Sequence, residues 1–129
     1  MKLIMKNKVE VLCHSSIKIT GNKTIYIDPF KIDKFYHDAD YIFCTHSHYD
    51  HFSKEDIERV SKSGTIIITV ESSKKDALDI LNDESRVIIV KPGRHYRINE
   101  IEFETTYAYN LNKEFHPKQN KWVRLYSEY

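Results

Sequence analysis

The chain has 129 residues, of which 40% are hydrophobic and 30% charged, so its length predicts one domain with a single core. Its 20 Lys and Arg residues against 19 Asp and Glu leave a net charge of +1, which supplies no field for binding a polyanion and disfavours nucleic acid as a partner. A mean hydropathy of −0.58 without a long apolar run excludes a membrane span, and residues 1–7 lack the apolar stretch of a secretion signal, so we expect a cytoplasmic protein.

Apolar or alternating runs predict six strands along the first three quarters of the chain. In chain order they are 9–13, 16–20, 24–27, 41–45, 65–70 and 87–90. Gly21 and Asn22 predict a tight turn between the second and third strands. Cys13 and Cys44 each lie in one of these apolar runs, which favours free thiols in a reducing compartment over a disulfide.

Two helices and a last strand complete the predicted elements. Ser53 and Asp56 resemble a capping box, and Gly64 is a stop signal, so a helix is predicted at 54–62. Ser72 or Ser73 is the predicted cap of a second helix, whose apolar face is formed by Ala77, Leu78, Ile80 and Leu81. After a turn at 91–93, alternation from Ile98 predicts one long strand whose core face carries Ile101, Phe103, Thr105, Tyr107 and Tyr109.

A histidine-rich segment directly after the strand at 41–45 is the strongest functional signal. In an extended chain, His46 and His48 project to the same side, so both imidazoles can bind one metal at about 2.0–2.1 Å. Asp50 and His51 lie where the chain turns into the next helix, and they can face a second metal. Imidazole with carboxylate suits zinc, manganese, iron or nickel, and the lack of a thiolate disfavours a sulfur-based structural site.

Two other interpretations of this segment stay open. It could be a polar surface turn whose histidines bond water or backbone carbonyls. It could also be a structural metal site, in which protein groups fill all four ligand positions, whereas a catalytic site keeps one position for water.

The run from Thr45 to His51 resembles the T-H-x-H-x-D-H signature of the metallo-β-lactamase superfamily. Residues 13–17, 27–30, 108–110 and 116–118 further resemble a branch of small metal-dependent hydrolases that includes the ascorbate-6-phosphate lactonase type. The resemblance implies an α/β (α+β) fold: the first half of a four-layer αββα sandwich, with a mixed sheet, flanking helices and a dinuclear site between the two sheets at one end. Residues 1–129 would then form a single truncated domain of this type.

The same resemblance assigns roles to individual residues. It implies that His46 and His48 bind one metal and that Asp50 and His51 bind the other, with Asp50 also orienting the attacking hydroxide. Asp28 would brace the signature loop through hydrogen bonds to backbone N–H groups.

Three further residues are candidate substrate contacts. Asn110 falls where many family members have a third histidine ligand. His116 is either a ligand or substrate contact or a solvated loop residue, and His14 either meets substrate at the site mouth or bonds backbone at a strand end. His37 and His95 are interpreted as surface residues.

The implied activity is hydrolysis of an ester, lactone, amide or phosphodiester in a small-molecule substrate by metal-activated water. Family members continue with a Gly-Asp-Thr segment and a later histidine ligand, which this sequence lacks, and the resemblance is lost after Val123, which we hypothesise reflects a frameshift. The alternative is therefore a non-catalytic, metal-binding half-domain that self-associates to cover an apolar sheet face.

Overall fold

Two β-sheets and two helices form the part of the chain that the computed structural model describes, residues 8–12, 16–45, 52–107 and 123–127. The larger sheet contains, in order, β1 (Lys8–Val11), β2 (Ile17–Thr20), β3 (Thr24–Ile27), β4 (Tyr41–Phe43), β5 (Ile66–Thr69) and β6 (Val87–Ile89). The smaller sheet contains β7 (His95–Ile98), β8 (Ile101–Tyr107) and β9 (Val123–Ser127). The helices are α1 (Lys54–Val60) and α2 (Lys74–Leu81), with short 3-10 turns at Glu71–Ser73 and Glu84–Arg86. This mixed architecture confirms the predicted fold class.

The larger sheet is antiparallel from β1 to β3 and parallel from β3 to β6. The direction changes because β2 and β3 are joined by a short turn, whereas helices α1 and α2 carry the chain from β4 to β5 and from β5 to β6. Parallel strands end at the same side of a sheet. The residues that follow β3, β4, β5 and β6 therefore share one side, which we call the carboxyl end of the larger sheet.

Alternating side chains on the central strands pack against two different layers. Tyr26, Ile42 and Ile67 belong to a buried cluster with Ile57 and Val60 of α1. Each of these apolar side chains is nearly or fully buried, and burial of one such side chain contributes about 1.5–3 kcal/mol. Helices α1 and α2 therefore cover one face of the larger sheet.

The opposite face of the larger sheet packs against the smaller sheet. Tyr41, Phe43 and Ile68 form a second buried cluster with Ile101 and Phe103 of β8. The rings of Phe43 and Phe103 meet edge to face with their centroids 5.0 Å apart. The described residues thus form three layers, helices, larger sheet and smaller sheet.

The outer face of β7 and β8 is charged rather than apolar. His95, Arg97, Glu102 and Glu104 are all exposed there. The His95 ring nitrogens lie 3.4 Å from Glu102 and 3.5 Å from Glu104. His95 is therefore a surface residue, as its sequence context predicts.

The long strand predicted from Ile98 is wrong in one respect, because the structure has a hairpin there. Strand β7 begins at His95 and pairs antiparallel with β8, and the chain reverses at Asn99 and Glu100. Asn99 has a φ of +52°, a left-handed conformation that asparagine tolerates better than most residues. Because the outer face of β7 is in contact with water, two of its four residues are charged or polar, and the alternation of apolar and polar residues is too short to indicate a strand.

Two local predictions of helix capping also need correction. Ser53 caps α1, but the Asp56 carboxylate accepts hydrogen bonds from the backbone of Lys31 and Ile32, not from the cap residue. Ser73 stands at the N-cap position of α2 without a side-chain capping bond. Residues Val87–Ile89 are only half-buried, because β6 is the last strand of the larger sheet. Among the described residues, no helix combines the length and apolarity needed to cross a membrane.

Candidate metal centre

The predicted ligand segment connects the carboxyl end of β4 to the start of α1. His46, His48, Asp50 and His51 lie outside the described residues, but Thr45 before them and Phe52 after them are described. Both ends of the segment therefore have known positions. In the described part of the chain, no group of three or more His, Cys, Asp or Glu side chains is placed to hold a metal ion.

Asp28 anchors the first end of this segment. It directly follows β3, is 3% exposed, and accepts from the Thr45 N–H at 2.8 Å and from the Thr45 hydroxyl at 2.8 Å. Its own N–H donates to the Phe43 carbonyl at 2.8 Å, which extends the parallel pairing of β3 and β4. The prediction that Asp28 braces the signature loop is thus confirmed at the first residue of the signature.

Thr69 contacts the same point from the other side. Its hydroxyl, fully buried at the end of β5, donates to the Cys44 carbonyl at 3.1 Å. The Cys44 N–H donates to the Ile68 carbonyl at 2.9 Å. The sequence predicts Thr69 only as part of the strand at 65–70. Its place at the end of an isoleucine run is the one feature that could have indicated a hydrogen bond from its hydroxyl.

The other end of the segment is held by packing and by α1. Phe52 is 7% exposed and belongs to the helix-side core, and Ser53 begins the helix by accepting from the Asp56 N–H at 3.4 Å. Asp56 accepts from the backbone N–H groups of Lys31 and Ile32 at 2.9 and 2.8 Å. The loop after β3 and the helix after the signature are therefore tied together.

Cys44 lies two residues before the first candidate ligand and belongs to the helix-side core. Its thiol is free and buried, and that burial raises its pKa well above the ordinary range, with the Asp28 charge acting in the same direction. The thiol therefore stays protonated at neutral pH. The free state of Cys44 agrees with the sequence-based prediction, whereas Cys13 lies outside the described residues.

The three predicted substrate contacts, His14, Asn110 and His116, also lie outside the described residues. Two of the flanking positions are informative. Leu12 donates from its N–H to the Ser16 carbonyl at 2.8 Å, and Ile17 pairs with Ile27, so the chain enters β2 at the carboxyl end of the larger sheet. The Ser16 hydroxyl is buried there, with no hydrogen-bond partner among the described residues.

Strand β8, which leads toward Asn110, also ends at the carboxyl end of the larger sheet. Thr105 lies near the end of β8, and its hydroxyl donates to the carbonyl of Lys91, just after β6. The Thr105 N–H donates to the Arg94 carbonyl at 2.8 Å. Strand β8 therefore runs toward the carboxyl end of the larger sheet. The described structure thus brings to one end the segments that lead into His14, His46 and Asn110.

His37 lies elsewhere on the surface. It is exposed in the loop between β3 and β4, and its Nδ1 lies 2.7 Å from the Ser61 carbonyl, just after α1. Its ring stacks on Phe35 with centroids 5.9 Å apart. Its exposure agrees with the sequence-based interpretation.

Comparisons with known proteins match nearly the whole chain to one family. A family model described as the β-lactamase superfamily domain matches residues 8–125. No curated protein matches the chain significantly.

Solved structures with related folds include several metalloproteins. A proposed metal-dependent hydrolase from Parabacteroides distasonis has a TM-score of 0.72 and 27% identity over 95% of this chain and 56% of its own. The metallo hydrolase Igni18 from Ignicoccus hospitalis has a TM-score of 0.60 and 16% identity, with the same coverage of 95% and 56%. The diiron β-hydroxylase CmlA from Streptomyces venezuelae has a TM-score of 0.68 and 14% identity over 97% of this chain and 30% of its own. The chain thus spans little more than half the length of the first two structures, and at the lower identities the likeness concerns the fold alone.

Proposed function

The chain belongs to the β-lactamase superfamily, and from that premise we propose that residues 46–51 form a metal centre of a metal-dependent hydrolase. The observation that carries the proposal is the anchoring of Thr45 by Asp28 at the carboxyl end of β4, directly before the four candidate ligands. That position is where open α/β sheets place their sites, because the strand ends and the following loops form a crevice there.

The donor set fits one or two divalent transition metals. His46 and His48 would hold one ion through ring nitrogens, and Asp50 and His51 would hold the other. We favour zinc, because imidazole nitrogens and carboxylate oxygens are typical zinc donors. Manganese, iron or nickel would suit the same donors, and a diiron protein is among the similar folds.

A bound divalent metal supplies an acidified water as nucleophile and polarises the bond to be cleaved. The residues of this chain would orient the attacking water and hold the loop that carries the metal ligands. The Asp50 carboxylate would accept a hydrogen bond from the water and fix its direction of attack. The contact between the buried Asp28 carboxylate and Thr45 would hold the loop that carries these groups, so that little reorganisation is needed during reaction.

The substrate proposed is a small molecule with an ester, lactone, amide or phosphodiester bond, and His14, Asn110 and His116 are its proposed contacts. Support comes from the chain segments next to His14 and Asn110, which approach the carboxyl end of the larger sheet. The cytoplasm is the proposed compartment, in agreement with the free thiol of Cys44.

A second candidate function is a metal-binding half-domain that acts only with another chain. A second copy or another polypeptide would then supply the remaining ligands. A homo-oligomer in which the copies cover each other's sheets is the form proposed for that assembly.

The test compares metal content and hydrolysis in three proteins: the wild type, His48→Ala and His95→Ala. His95 is a matched control, because it lies on the exposed outer face of β7 rather than at the carboxyl end of the larger sheet. A panel of a chromogenic phosphodiester, a lactone and an ester measures turnover. The hydrolase proposal expects His48→Ala to lose both metal and turnover while His95→Ala keeps both. If the wild type binds metal but none of the three proteins hydrolyses a substrate of the panel, the half-domain is favoured.

A further inference from the structure

The peptide group between Cys44 and Thr45 is held at both ends by side chains from the two neighbouring strands. The Thr69 hydroxyl at the end of β5 donates to the Cys44 carbonyl at 3.1 Å. The Thr45 N–H of the same peptide group donates to Asp28 Oδ1, after β3, at 2.8 Å. Because the carbonyl and the N–H of a planar trans peptide point in opposite directions, the two bonds together fix the rotation of that peptide plane.

Both bonds have a buried side-chain partner. Thr69 is fully buried and Asp28 is 3% exposed, whereas Thr45 itself is half-buried, so the Thr69–Cys44 bond is the better shielded of the two. Rotation of this peptide plane would change the backbone angles on either side of it and redirect the chain at the next residue, His46. The direction in which the chain leaves Thr45 therefore depends on a hydroxyl one strand away.

We infer that Thr69 is a positioning residue for the metal centre: with Asp28 it clamps the Cys44–Thr45 peptide plane and so sets the direction in which the signature leaves β4. This inference rests on the proposed function. Thr69 acts through the backbone rather than as a ligand. Groups that orient metal ligands from outside the coordination sphere typically change metal affinity by about 10–100-fold when removed.

The chain contains a matched control at the other end of the same strand pair. The Thr65 hydroxyl, also fully buried, donates to the Ala39 carbonyl at 2.7 Å, just before β4 begins. It additionally accepts from the Lys62 N–H at 2.8 Å, so its loss costs the fold at least as many bonds as loss of the Thr69 hydroxyl. Thr65 tests general stability without touching the peptide that leads into the signature.

The experiment uses the full chain with Co²⁺ as the probe, in the wild type and in Thr69→Val, Thr69→Ser and Thr65→Val. Dissociation constants and visible absorption bands of bound Co²⁺ are measured by titration. Hydrogen exchange of the Thr45 amide is measured by NMR without metal, relative to the Ala39 amide, which bonds the Val60 carbonyl at 2.9 Å at the other end of β4. If Thr69→Val does not fold, Thr69→Ala replaces it, since its comparison with Thr69→Ser still isolates the hydroxyl.

The clamp predicts that Thr69→Val weakens Co²⁺ binding at least about tenfold, alters the absorption bands and speeds exchange of the Thr45 amide relative to Ala39. Thr69→Ser restores all three, and Thr65→Val leaves affinity and bands at wild-type values. Wild-type affinity in Thr69→Val, or an equal loss in Thr65→Val, would overturn the inference while leaving the proposed function intact. If the wild type binds no Co²⁺, the proposed function fails, and unchanged relative exchange of Thr45 in Thr69→Val would then overturn the clamp as well.

Discussion

Replacing Asp28 by asparagine tests the anchor of the signature most sharply. Asp28 has a φ of +49°, and asparagine tolerates this left-handed conformation, so Asp28→Asn changes the charge without the added backbone strain of alanine. The variant keeps an oxygen for the Thr45 N–H but presents an amide nitrogen to the Thr45 hydroxyl, which must then accept instead of donate. Both bonds also lose the assistance of the negative charge.

The expected cost follows from the two bonds. A hydrogen bond to a charged group contributes about 1.5–3 kcal/mol and a neutral one about 0.5–1.5, so two bonds that each lose about 1 kcal/mol give about 2 kcal/mol. Urea unfolding of chelator-treated protein measures this directly, without a contribution from bound metal. With a slope of about 1–3 kcal/mol/M, the midpoint should fall by about 1 M.

A double-mutant cycle with Thr45→Val assigns the cost to this contact. Thr45→Val removes the hydroxyl bond to Asp28 Oδ2 and keeps the N–H bond to Oδ1. The coupling energy between the two substitutions should be about 1 kcal/mol. If the two costs add to within about 0.3 kcal/mol, the Thr45 hydroxyl is not coupled to the Asp28 carboxylate, and a midpoint unchanged by Asp28→Asn would in addition show that the Thr45 N–H bond does not anchor the signature.

Three further predictions concern the scaffold around the site. Asp56→Ala should destabilise the fold by about 2–4 kcal/mol, because it leaves the buried Ile32 N–H and its neighbour without their acceptor, whereas Glu55→Ala on the exposed side of α1 should cost less than about 0.5 kcal/mol in the same urea assay. Phe103→Ala should cost about 3–5 kcal/mol by opening a cavity between the two sheets, and a loss below about 1 kcal/mol in calorimetry would contradict the packing described. Burial acts to raise the pKa of Asp40, but the Thr24 N–H and Lys62 outweigh it and hold that pKa below its usual range. Ionised Asp40 therefore stabilises the fold above about pH 4, and this contribution is lost as the pH falls through the lowered pKa. Unfolding measured at pH 7 and pH 3 should therefore show a smaller loss on acidification in Asp40→Asn than in the wild type, and equal losses would count against it.

The strands of the larger sheet were predictable because their hydrophobic patterns are strong. The isoleucine run of β5 and the apolar β4 identify buried strands, and the turn between β2 and β3 has a glycine at its start. Strand β7 was not predictable in the same way, because His95 and Arg97 face water and only Tyr96 and Ile98 pack inward. A strand with one solvated face and four residues offers too short an alternation to detect.

The ligands of the candidate site stay a prediction from the sequence, and the residues that support the site were predictable only in part. The spacing of the histidines predicts a metal centre, and the resemblance to the family predicted Asp28 as a brace for the signature loop. The role of Asp56 as an acceptor for the loop after β3 depends on two segments 24 and 25 residues apart, which no local pattern reveals. The bond from Thr69 to Cys44 likewise depends on which strands are neighbours, and that is set by the parallel topology.

Strand β9 of the smaller sheet forms where the sequence departs from the residues typical of the family. The sequence predicts that the resemblance to the family is lost after Val123, but the family model matches as far as residue 125, and the backbone from Val123 to Ser127 pairs with β8 in continuous antiparallel register. Strand formation there needs only compatible backbone and alternation, whereas a family motif needs particular side chains. The loss of a sequence motif therefore did not predict the loss of the strand.

The most direct test of the central claim is the number of metal ions per chain, measured by elemental analysis on freshly purified protein resolved by size. A metal centre at residues 46–51 predicts one or two transition-metal ions per chain in the wild type, a clear loss in His48→Ala and retention in His95→Ala. A wild-type protein that holds no metal after supplementation with zinc, manganese, iron or nickel would contradict the assignment of residues 46–51 as a metal centre.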